Sequence, residues 1–409
     1  MPKTANPTLS TKHLYFLVLA SMTIALGIFD FWAFWYMATL ITQAILIQPN
    51  TWQSAAIILV SYLSCPLGGW IIGRYVHHQG FKAAVSLSLT LSMAGAALLA
   101  ILPTALLSPL LCLVLVIIAR LAQGMALGAQ LPMLWVYASA FLPKRHTGIG
   151  CGLLTAAMVA GGVALFLLIN LLETTLTPIQ FYQYGWRIPF LIGATSAATL
   201  FIASRNLDTP ILITTAPSAY PRWQTLPPVL VLSWLVISVL LILVLLIEDL
   251  IHLIVYIHDG LLTAGVVTSW VFLMIGCVFF GFLSDNIGNT KTLRLGVALL
   301  MVMIFGLFYD LMTGGRMLVL SFALTGFASG VIGAAPALMA RLSLGQNLSF
   351  LALSYNLLFV LTALIAPLAL GFFAFAASLS PALYISFICL ITLFTTFFIA
   401  HHPQSERHQ

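Results

Sequence analysis

Two charged side chains stand inside apolar runs long enough to cross a bilayer, and their types set the chemistry open to this chain. Arg120 lies about ten residues into LCLVLVIIARLAQGMALGAQLPMLW, Leu111 to Trp135, and a helix rising ~1.5 Å per residue brings its guanidinium near mid-membrane. An arginine there is costly unless protein groups surround it or it lines a wet cavity. Gln123, Gly124, Leu127 and Leu131 fall on roughly its face, with Gly128 beside them, so a cation, an amide and two close-approach positions are expected to look toward one neighbour. Asp30, in SMTIALGIFDFWAFWYMATL, interrupts the stripe of Gly27, Phe34 and Met37 and is the expected counter-charge for Arg120. Facing Arg120, its protonation would respond to whatever else entered the cavity, which proton coupling requires. The bland reading is a static pair locking the first and fourth spans.

Other polar groups are placed less sharply. Glu248, His252 and Tyr256 follow one another at i,i+4 spacing, a carboxylate–imidazole–phenol row that is either part of the transport path or a solvated outer mouth. No HExxH or equivalent ligand set accompanies them, so neither a metal nor any other cofactor is expected. Asn356, beside Tyr355, either contacts a solute or hydrogen-bonds a neighbouring helix. Trp32, Trp35 and Tyr36 are candidate cavity aromatics, while Trp52 reads as an interfacial anchor. Asp285, where the eighth span meets the cytoplasm, can cap a neighbouring helix N-terminus and act as a closure latch. Arg74 and His77 hold the corresponding place in the first half, where the acid is missing.

The elements that must position these residues follow from composition. With 62% hydrophobic and 6% charged residues, a soluble surface cannot be built, and the chain is an all-α polytopic membrane protein. The basic residues are scattered, which excludes a nucleic-acid footprint, and the five cysteines lie in apolar runs as small hydrophobes. No nucleophile constellation or soluble catalytic domain points to an enzyme. Twelve spans are expected between about residues 14 and 399, the shortest at roughly 187–203 and 293–309, and MPKTANPTLSTKHLYF reads as a short cytoplasmic tail rather than a cleaved signal. With both termini inside, every Lys and Arg except Arg120, Arg187 and Arg316 falls in a cytoplasmic segment, as the positive-inside rule demands. A Pro-, Thr- and Ser-rich stretch at 204–227 separates an N-terminal six-helix bundle, 1–203, from a C-terminal one with a short tail, 228–409. GRYVHHQGFK, Gly73 to Lys82, is echoed by GFLSDNIGNTK, Gly281 to Lys291, and two related halves are what alternating access requires.

In sum of its motifs the chain resembles the major facilitator superfamily, and within it the metabolite:proton symporters that include proline/betaine, citrate and α-ketoglutarate carriers. The likeness is carried by FDF at Phe29 to Phe31, CPLGGWIIGRY at Cys65 to Tyr75 and RLAQGMALG at Arg120 to Gly128. GWRIPF at Gly185 to Phe190, SYN at Ser354 to Asn356 and Ala366–Pro367 complete it. It implies a monomer of two six-helix bundles in the inner membrane, surrounded by lipid, taking up a small polar organic metabolite with a proton. Asp30 and Arg120 would be central to this, and Gln123, Gln130, Tyr36, Asn356 and the Glu248, His252, Tyr256 row would share the substrate or coupling path. Departures from the family pattern are Gly27 for a first-span glutamate, Gln130 for an acid after the fourth-span glycines, His77 and His78 for an acid and a base, and Asn286 and Asn289 for basic residues. A proton-independent facilitator or exporter, and a non-transporting sensor or scaffold, are the competing readings.

Overall fold

In the computed structural model, which describes residues 9–46, 51–207, 222–246, 259–343, 348–376 and 380–400, all regular elements are helical. Twelve helices among the described residues are long and apolar enough to span a bilayer. They are α1 (Thr11–Ile45), α2 (Gln53–Gln79), α3 (Phe81–Ala100), α4 (Pro109–Phe141), α5 (Lys144–Thr175) and α6 (Pro178–Ser204), then α7 (Thr225–Leu243), α8 (Leu262–Ile287), α9 (Asn289–Met312), α10 (Leu318–Ser343), α11 (Leu348–Ile365) and α12 (Pro381–Ile399). Helices dominate because hydrocarbon offers no partner for a backbone N–H or C=O, so each segment must satisfy its own.

The two spans expected to be short extend at their ends for local reasons. α6 starts at Pro178, where Thr177 accepts from the Gln180 N–H and Gln180 Oε1 from the Thr177 N–H. α9 starts at Asn289 directly after Gly288. Gly288 joins α8 to α9 with φ 92, and Gly80 joins α2 to α3 with φ 85, a left-handed conformation that favours glycine. The repeated sequence is therefore a repeated single-residue corner, once in each half.

Helices in a bilayer associate through close packing rather than water exclusion, and glycines let their backbones meet. Gly124 and Gly128 of α4 lie against Ser61, Ser64 and Cys65 of α2, where an added Cβ would collide. α1–α6 and α7–α12 form the two bundles, which meet where α2 lies against α11 and α5 against α8. In the second of these seams a Cβ on Gly281 would stand 2.6 Å from Gly148 O and 3.1 Å from Gly152 Cα, and one on Gly152 would strike Cys277 O. Gly306 of α9, by contrast, has open space where its Cβ would be.

Gly152→Val should cost on the order of 1–3 kcal/mol by overpacking this seam. Purified Gly152→Val is expected to melt at lower temperature than Gly306→Val, and equal melting of the two would contradict so tight an α5–α8 contact.

Candidate functional site

Close approach of α4 to α2 carries Arg120 to a partner that is not a carboxylate. The guanidinium is 1% exposed; its Nε donates to Ser61 Oγ of α2 at 2.6 Å, one terminal nitrogen to Gln123 Oε1 at 2.7 Å, and the other to the Phe31 carbonyl of α1 at 3.4 Å. The rings of Phe34 and Phe31 lie 4.4 and 5.2 Å from Cζ. An arginine has five N–H groups, and these bonds engage three of them.

Asp30 makes no contact ion pair with Arg120 among the described residues, although the two charges attract one another through the site. Its Oδ2 accepts from Ser92 Oγ of α3 at 2.8 Å, while Oδ1 is buried without a hydrogen-bond partner and packs on Gly193 of α6, where a Cβ would collide with it. Asp30 bonds α3 and packs on α6, while Phe34, one turn along α1 on roughly the same face, lays its ring against Arg120.

The single face expected on α4 is likewise divided. Gly124 and Gly128 meet α2, Gln123 packs on Gly95 of α3, and Leu127 and Gln130 reach Gly27 of α1. Gln130 is 1% exposed, and its buried Oε1 has no hydrogen-bond partner, as is also true of Gln123 Nε2. Gly27 makes room for the Gln130 amide, which a Cβ there would strike. Asn356 of α11 donates from Nδ2 to the carbonyls of Gly128 and Ala352, both at 2.7 Å, and so joins α11 to α4 across the two halves. Tyr36 is 42% exposed. Glu248, His252 and Tyr256 lie outside the described residues. Ser61, Ser92 and Gly193 were not singled out from sequence; a serine or glycine in an apolar helix is common, and only knowing what faces it marks these three.

Near the two glycine corners, each half caps a helix of the other. Asp285 of α8 accepts from the Gly148 N–H at 2.7 Å and the Ile149 N–H at 2.8 Å, both in the first turn of the α-helical part of α5. His77 of α2 accepts through Nε2 from the Leu348 N–H at 3.2 Å, the first residue of α11. Arg74 takes no part in this cross-half bond, since its guanidinium lies over Trp70, one turn earlier on its own helix, with Cζ 4.4 Å from the ring centroid.

The same arrangement of helices recurs in solved structures. The chain superposes on the proton:xylose symporter XylE of E. coli with a TM-score of 0.76 at 12% identity, covering 95% of each chain. With the human organic anion transporter MFSD10 the TM-score is 0.67 at 12% identity, covering 94% of this chain and 99% of that one. The fold is that of the major facilitator superfamily. No protein-family model matches the chain. The ectoine/proline transporter ProP of Corynebacterium glutamicum is 25% identical over 419 aligned positions, 92% of this chain and 82% of that protein. The α-ketoglutarate permease of Escherichia coli strain K12 is 26% identical over 184 residues, 44% of this chain and 43% of the permease. The citrate-proton symporter of Klebsiella pneumoniae is 29% identical over 188 residues, 44% of this chain and 41% of the symporter. The matched stretch thus spans about two fifths of the length of these last two carriers.

Removing the acceptor at Asp285 leaves two helix-end N–H groups unmet, worth roughly 1–3 kcal/mol each where buried. Asp285→Ala should widen the α5–α8 distance distribution measured between spin labels more than His77→Ala widens that between α2 and α11. Unchanged α5–α8 distances in Asp285→Ala would contradict the capping role.

Proposed function

We propose that this protein is a secondary transporter that carries a small polar organic metabolite of amino-acid, betaine or carboxylate type across the inner membrane by alternating access, with proton symport. The observation that carries this reading is Arg120, a buried guanidinium held by neutral groups through three of its five N–H groups, on a helix that meets α11 across the two halves. A cargo carboxylate would complete its hydrogen bonding bidentately. Relatives named as permeases, symporters and transporters, one of them along 92% of this chain, support the class of activity.

In this account residues 1–203 and 228–409 rock as bundles joined by 204–227, within a single copy of the chain embedded in lipid. Both termini lie in the cytoplasm, where Asp285 on α5 and His77 on α11 hold the inner side closed. Gln123, Gln130, Tyr36 and Asn356 are the polar groups available to cargo as the halves part, and Asp30 Oδ1, buried and without a partner, is the atom that would hold the coupled proton. Because proton and cargo affinities must be reciprocally linked, occupying one site changes the other. One observation favours a proton-independent facilitator instead: Asp30 is bonded within its own half and reaches neither Arg120 nor the other bundle.

Reconstitution in liposomes decides between these readings. Symport predicts that an imposed inward proton gradient concentrates the solute, and that Asp30→Asn abolishes accumulation while solute exchange across the wall persists. Saturable flux indifferent to the gradient would replace symport by facilitation, and binding without flux would replace transport by sensing.

A further inference from the structure

The two sets of bonds that close the cytoplasmic side differ in a property that the account above leaves unused. Asp285 accepts as a carboxylate, whereas His77 accepts through a ring nitrogen, and an imidazole nitrogen has a lone pair to accept with only while it is unprotonated. Nε2 of His77 takes the Leu348 N–H at 3.2 Å, the first of α11, from a half-buried position near the end of α2. Gly73, one turn earlier, lies so near α11 that an added Cβ would stand 3.0 Å from Ser349 Cα, so the ring sits where two helix backbones are in contact.

Protonation reverses this contact. An imidazolium donates from both nitrogens and meets the Leu348 N–H donor to donor, and its charge stands at a helix N-terminus, whose partial charge is also positive. Nothing on the packed elements compensates. On α2 itself the neighbours are Arg74 and His78, both exposed, and the charge of His78 opposes a second one beside it. α3 brings Lys82, which donates to the Arg205 carbonyl at the end of α6, and α4 brings Tyr137, stacked on Phe81. α1 brings Lys12 and His13, the ring of His13 lying 4.8 Å from that of Phe141. The first two turns of α11 carry no titratable side chain. Asp285, the acid at this end of the bundles among the described residues, is engaged by α5.

We infer that His77 is a proton-sensitive latch: neutral, it ties α2 to α11 and holds the cytoplasmic side closed, and protonated from the cytoplasm it lets that seam part. This rests on the alternating-access reading above and adds a control to it. The sign follows from the bond, which is present above the titration of the ring and lost as cytoplasmic pH falls through it. The bonds of Asp285 do not share this behaviour, since a carboxylate ordinarily stays ionised down to about pH 4. An acid cytoplasm thus biases the carrier toward its inward-open form.

The test uses the purified full chain in lipid nanodiscs, with spin labels on the cytoplasmic ends of α2 and α11. Distances are read at about pH 7.5 and about pH 5.5, either side of the ordinary histidine range. The ratio of wide to narrow α2–α11 pairs should rise roughly two- to thirtyfold at the lower pH, the span of charge effects at helix ends. His77→Gln, which keeps an acceptor that does not titrate, should stay narrow at both, and His78→Ala should still respond. Distances that ignore pH in the unaltered protein, or a His77→Gln protein that widens as much as the unaltered one, overturn the proposal. If the distances ignore pH while liposomes show saturable solute flux, the latch falls and the transport reading stands. If they respond and no metabolite class is carried, the transport reading falls and the latch stands as the switch of a sensor.

Discussion

A guanidinium kept 1% exposed inside a membrane bundle, with no carboxylate among the described residues in contact with it, is the constraint on which the rest of the arrangement depends. Inserting an arginine at mid-membrane costs about 2.5–3.5 kcal/mol on insertion scales. Hydrogen bonds to a charged group return about 1.5–3 kcal/mol each, so the two short ones, to Ser61 and Gln123, suffice to hold it without an anion. With the bond to the Phe31 carbonyl included, two of its five N–H groups take no part in these bonds, groups that a fixed acid at contact distance would have used. This arrangement also demands that α4 lie on α2 closely enough for Nε to reach Ser61, which is why glycine stands at 124 and 128.

Separating Asp30 from Arg120 creates two polar sites in one bundle instead of a single pair. Asp30 looks to Ser92 and Gly193, and Arg120 looks to Ser61 and the Phe31 carbonyl. The buried amides of Gln123 and Gln130 leave further unmet hydrogen-bonding groups nearby, a costly state for an interior and one that a transported solute could relieve. The halves differ most where they cap one another. A carboxylate takes two N–H groups at the start of α5, whereas an imidazole takes one at the start of α11, so the two seams are not held by equivalent bonds.

Sequence reached the fold and the buried polar residues because apolar spans make any charge or amide conspicuous: Arg120, Asp30, Asn356 and Asp285 all stand out against leucine and phenylalanine. The echo of GRYVHHQG in GFLSDNIG was legible too, and it became the paired corners at Gly80 and Gly288. What each residue touches was less accessible. Spacing fixes which residues share a helix face, but how the helices pack decides the neighbour, and Asp30 bonds Ser92 rather than touching the arginine expected as its counter-charge. The α4 stripe was split among three neighbours for the same reason. The packed rings of Phe31, Tyr62 and Phe359 join α1, α2 and α11, a contact with no local signature in the sequence.

The role of Arg120 as the anchor for an anionic cargo is tested most directly by calorimetric titration of Arg120→Gln with a transported solute, alongside the unaltered protein and with melting used to verify folding. Loss of a desolvated charge pair of this kind predicts affinity weakened by at least about thirtyfold. A folded Arg120→Gln protein that binds the solute as tightly as before would contradict the account.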